Sequence, residues 1–126
     1  MVETLTYLGC MILAALTIFQ AALILGAPLG RYAWGGKHAV LPTKLRIASV
    51  SSIILYVAFA VVLVSKAGVA EIIDNKNFID TAMWVLTAYF IVGVLMNAAS
   101  RSKLERNLMT PTALLLALVF LMVAAS

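Results

Sequence analysis

The sequence predicts an all-α fold, a four-transmembrane-helix bundle forming a polytopic integral membrane protein. Three observations carry that reading. The 126 residues are 64% hydrophobic and only 11% charged, whereas a soluble domain has about 45–50% apolar and about 25% charged residues. The apolar residues fall into four long runs, each near the ~20 residues that a helix needs to cross a bilayer. The basic residues lie between those runs rather than along a soluble face. The net charge of +4 therefore points to membrane lipids as partners, and not to nucleic acid. A chain of this length reads as one domain, residues 1–126.

The first helix is expected at about 4–26, because Thr4 to Leu25 contains no charged residue. This run is too long for a signal-peptide core, and Met1, Val2 and Glu3 supply no basic flank. Leu8-Gly9-Cys10 is weak as a lipoprotein cleavage site for the same reason, so Cys10 reads as a small buried helix residue. A single cysteine and a single histidine exclude an internal disulfide and a multi-ligand Cys/His metal site. No cofactor is implied.

A basic loop at 27–42 comes next. The surrounding stretch, Gly26 to Arg46, carries Arg31, Lys37, His38, Lys44 and Arg46, no acidic residue, and four of the seven glycines. Helix–helix connections usually take 2–8 residues. This one is longer, and Leu29, Tyr32, Trp34, Val40 and Leu41 make it too apolar for a loose tether. It is expected to lie along the inner leaflet and cover the ends of the helices. Gly35-Gly36 reads as a turn, since no G-x-x-x-x-G-K-[ST] surrounds it. His38 reads as a solvated loop residue.

The second helix is expected at about 43–66, opened by Pro42, whose missing N–H costs nothing in a first turn. An outside loop at 67–77 follows, in which Glu71 and Asp74 offset Lys76. The third helix is expected at about 78–104. The fourth is expected at about 108–125, entered through Thr110-Pro111-Thr112 with Thr110 as its cap. Leu41-Pro42-Thr43 and Thr110-Pro111-Thr112 also read as traces of two pseudo-repeated hairpins, related by an axis along the membrane normal. The plainer alternative is that helix starts resemble one another.

Seven of the nine basic residues lie in 27–46 and 100–107. Basic segments stay on the cytoplasmic side, so both loops are expected there, in a bacterial plasma (inner) membrane with both termini outside. Tyr7, Trp34 and Trp84 fall near the interfaces, where amphipathic rings settle.

Polar residues share faces of three helices: Thr6, Cys10, Thr17 and Gln20; Ser49, Ser52 and Tyr56; Gly93 and Asn97, continued by Ser100, Arg101 and Glu105. Two readings compete. Such residues hydrogen-bond between membrane helices as packing glue. Alternatively, Gln20, Ser52, Tyr56 and Asn97 line a pocket open to the cytoplasmic side, with the Asn97 amide bonded to Gln20 or Tyr56. Arg31 and Arg101 would then converge on an anionic headgroup above the pocket. Glu105 would pair with Arg101 at i+4. The alternative has each arginine contacting its own lipid.

No span carries an ionisable group at its centre, which disfavours proton relays and ion-coupled carriers. No G-x-S-x-G motif and no triad with His38 points to catalysis. The leading expectation is a non-catalytic membrane scaffold, accessory protein or lipid/hydrophobic-ligand binding protein, as a homo-oligomer or within a larger membrane complex. A small transporter or channel working as an oligomer is the alternative, and an enzyme acting on a lipid-soluble substrate is a third.

Overall fold

Four helices make up most of the computed structural model, which describes residues 1–126: α1 (Val2–Ile24), α2 (Thr43–Ala67), α3 (Lys76–Ala98) and α4 (Lys103–Ala124). All four are long and apolar enough to cross a membrane. At 1.5 Å per residue they extend roughly 33–38 Å, against a hydrocarbon core of about 30 Å. Large apolar side chains such as Ile18, Ile54, Val85 and Leu95 face outwards and are exposed. That outer surface suits hydrocarbon rather than water.

The helices stack as two hairpins, α1 against α2 and α3 against α4, with α4 also touching α1 and α2. The sequence of α4 explains this central position. Leu116, Ala117, Val119, Phe120 and Val123 are all buried, and they recur at helical spacing on its inward side. Phe120 meets Phe90 of α3 at 4.9 Å between ring centroids. Phe90 in turn packs edge-on against Phe59 of α2 and Tyr89. Gly9 allows α1 to close on this core, because a Cβ there would lie 2.9 Å from Leu63 and 3.0 Å from Val119.

The bundle has two distinct ends. At one, both chain termini lie near the α2–α3 connection. Gly68 ends α2 in the left-handed conformation with φ 76°, and Asn75 caps α3 by accepting from Phe78 N at 3.1 Å. Lys66 pairs with Asp80 at 2.7 Å across this connection. At the other end, termed the loop end, residues 25–42 join α1 to α2.

The α3–α4 connection departs from expectation. The third helix was expected to reach 104 and the fourth to start at 108. Instead α3 stops at Ala98, and Lys103 already opens α4. Ser102 is the cap: its hydroxyl accepts from Glu105 N at 3.3 Å. Ser102-x-x-Glu105 is a capping-box sequence. Here the box is closed through a relay, since the Ser100 hydroxyl donates to Glu105 Oε1 and accepts from Ser102 N. Thr110 is therefore not a cap. Pro111 lies inside α4, where its missing N–H leaves the Asn107 carbonyl without an i+4 donor. Pro42, by contrast, is the residue that caps α2. The two proline motifs that suggested a repeat thus occupy non-equivalent positions.

This reassignment is testable by thermal unfolding of the purified protein in detergent. Ser102→Ala is expected to lose about 1–2 kcal/mol, the usual effect of removing an N-cap. Thr110→Val is expected to lose nothing, because the Thr110 hydroxyl is buried without a hydrogen-bond partner. The reverse order of effects would restore Thr110 as the helix start.

Candidate functional site

The loop at 25–42 is a fitted cover over the loop end. Gly30 N donates to Ala39 O at 2.8 Å and pinches the loop closed. Two short 3-10 turns, Gly30–Tyr32 and Trp34–Gly36, shape its middle. Trp34, Gly35 and Gly36 have φ of 52°, 79° and 71°. Left-handed backbone is easy for glycine and unfavourable for tryptophan, so Trp34 needs an anchor. Its indole nitrogen donates to the buried Ser49 hydroxyl of α2 at 3.1 Å. Gly36 must be glycine for space as well, because a Cβ there would collide with Ser102 Cβ.

Two contacts fasten this cover to the start of α4. The Ser102 hydroxyl donates to Arg31 O, and Gly35 N makes a long bond of 3.5 Å to Glu105 Oε2. A small apolar core of Leu23, Ala33 and Leu41 seals the α1–α2 side.

Beneath the cover lies a cavity of about 330 Å³, within the size range of small-ligand sites. All four helices contribute polar residues to its wall: Gln20 from α1, Ser52 and Tyr56 from α2, Asn97 from α3 and Glu105 from α4. Aromatic rings form much of the rest, namely Phe19, Tyr32, Trp34, Tyr56, Tyr89 and Phe90. Of the residues singled out from the sequence, Gln20, Ser52, Tyr56, Asn97 and Glu105 lie in this wall, Arg31 and Arg101 do not, and Thr112 is a polar member that was not singled out. The sequence did not indicate Tyr32, Trp34, Tyr89 or Phe90 as members. From the sequence, Trp34 reads as an interface ring and as one of the apolar residues of the loop.

Hydrogen bonding within the wall differs from expectation. The Asn97 amide donates to Gly93 O of its own helix at 2.9 Å, not to Gln20 or Tyr56. Ser52 likewise bonds Ala48 O at 3.4 Å. A short polar side chain in an apolar helix finds the i−4 carbonyl nearest. These residues therefore do not act as hydrogen-bonding glue between helices. Gln20 is the exception: it is 7% exposed, and its side chain lies within hydrogen-bonding reach of the Tyr56 hydroxyl of α2, although no well-formed bond reaches its Oε1.

The arginines also need correction. Glu105 does not pair with Arg101, since the only salt bridge is Lys66–Asp80 at the far end. The i+4 relation requires a continuous helix, and the chain leaves helix between Ala98 and Lys103. Arg31 donates to Gly36 O at 2.8 Å. Arg31 and Arg101 are exposed, and neither belongs to the cavity wall. Glu105 does belong to it and is 8% exposed. Its carboxylate receives only neutral donors, the Ser100 hydroxyl and Gly35 N. Nowhere do three or more His, Cys, Asp or Glu residues come together as metal ligands.

Comparison of the chain with protein-family models, with characterised proteins and with solved structures gives no significant match, so its function has to be argued from this geometry.

Proposed function

We propose that this protein is a membrane-embedded binding protein for a lipid-soluble ligand, which it holds in the cavity beneath the loop. The observation that carries the reading is the pairing of Gln20 and Glu105. Both are buried in one cavity wall, one with an unmet hydrogen-bond acceptor and the other with no counter-charge. Buried polar groups are normally satisfied, and buried charges are normally paired. A ligand with an apolar body and a polar head would complete both groups while filling the aromatic walls.

Binding fits this site better than chemistry does. His38, the sole histidine, is exposed on the loop and outside the cavity wall. The wall therefore offers no nucleophile with an adjacent histidine base.

The proposed setting is a bacterial plasma membrane with the loop end cytoplasmic. The charge pattern supports it: Arg31, Lys37, Lys44, Arg101 and Lys103 are exposed around this end, where each would gain roughly 1 kcal/mol from anionic headgroups. Those headgroups would touch the rim and not the cavity.

Two measurements test these proposals. A Cβ at Gly93 meets nothing within 4 Å, and Gly93 lines the cavity. Gly93→Leu is therefore expected to fill the site at little cost to folding. Native mass spectrometry of protein extracted in its own lipids should show a small molecule on wild type that is lost from the variant. Equal loading of both would overturn the cavity as the binding site. For orientation, a Lys37→Cys variant made in a Cys10→Ala background should resist an impermeant thiol reagent in intact cells and react after lysis. Labelling in intact cells would reverse the topology.

A further inference from the structure

We infer that the ligand is an amphipathic organic cation, an ammonium head carrying apolar substituents. This rests on the reading of the cavity as a binding site and specifies what it selects.

The charge balance of the wall points one way. Glu105 is its only acidic member, and no Lys, Arg or His lines the cavity. The nearby guanidiniums are engaged elsewhere, Arg31 on Gly36 O and Arg106 on Ser100 O. The carboxylate is thus left with neutral donors in a largely apolar, half-open cavity. A buried charge without a partner is costly, and an ion pair in low dielectric is strong. An anionic head would meet this carboxylate directly, so a phosphate or sulfate is disfavoured in the cavity. A neutral head would leave the carboxylate with its hydrogen bonds but no counter-charge. A cationic head answers it.

The walls make the same selection independently. Tyr32, Trp34, Tyr56, Tyr89 and Phe90 border the cavity, and the faces of such rings attract ammonium groups. Tyr32 and Trp34 come from the cover and the other three from the helices. Gln20 adds a carbonyl oxygen that makes no well-formed hydrogen bond. The protein as a whole carries +4 and repels cations at long range. Cation preference would therefore have to arise inside the cavity.

The test compares two probes of one shape: a phenylbutyl chain ending in trimethylammonium, and the same chain ending in tert-butyl. Binding to the purified protein in nanodiscs of zwitterionic lipid is followed by Trp34 fluorescence in a Trp84→Phe background. The ammonium is expected to bind at least roughly tenfold more tightly than its neutral isostere. Glu105→Gln is expected to abolish that preference while isostere binding persists, which also shows that the variant is folded. Tyr89→Leu should weaken the ammonium more than the isostere. Equal binding of both probes by wild type would overturn the cation inference and leave the binding site standing. Failure of both probes to bind wild type, with Gly93→Leu equally silent, would overturn the inference together with the binding site beneath it.

Discussion

Glu105 sits in the first turn of α4 with 8% of its surface exposed, and no cation lies within salt-bridge distance of it. Three parts of the molecule depend on how that carboxylate is held. The Ser100 hydroxyl donates to one oxygen and accepts from Ser102 N, which turns the chain out of α3. Ser102 then caps α4 through Glu105 N. Gly35 N reaches the other oxygen from the loop. The Ser100 hydrogen bond to this charged group contributes about 1.5–3 kcal/mol, the 3.5 Å contact from Gly35 N contributes less, and the first turn of a helix adds a favourable field for negative charge. The same contacts that offset burial of the charge also end one helix, begin the next and fasten the cover.

The aromatic core of the bundle shapes the cavity that Glu105 lines. Phe90 joins Phe59, Tyr89 and Phe120 in one aromatic cluster across α2, α3 and α4. Its inner rings are core, while Tyr56, Tyr89 and Phe90 also face the cavity. Packing and ligand shape are therefore set by the same side chains. Gly36 and Trp34 perform the matching task from above. One lies too close to Ser102 to carry a side chain, and the other is held in a left-handed backbone by Ser49.

Hydropathy made the four helices legible, since long apolar runs admit few other structures. The cover was legible too, because 27–42 was both too long and too apolar to be a tether. The α3–α4 turn was misread for an identifiable reason. Pro111 is a strong local signal for a helix start, but here the helix runs through it. The Ser102-x-x-Glu105 signature was present and carries the correct boundary. Missing that turn also produced the mistaken Arg101–Glu105 pair, which presumed unbroken helix. Polar spacing identified members of the cavity wall but not their bonds. Thr6, Thr17, Ser65 and Thr87 show why: like Asn97, each donates to its own i−4 carbonyl. The pattern of residues reveals a face, and only the fold reveals what that face encloses.

The central claim is that Glu105 is buried and tied to the loop, so that cover, cap and cavity form one unit. Solid-state NMR on the protein in lipid bilayers addresses it directly, with isotopic label on the Gly35 amide nitrogen and the Glu105 carboxyl carbon. A dipolar contact between the two labels, absent from a Ser100→Ala, Ser102→Ala double variant, is the expected result. A Glu105 carboxyl in contact with water and without coupling to Gly35 in the wild type would contradict it.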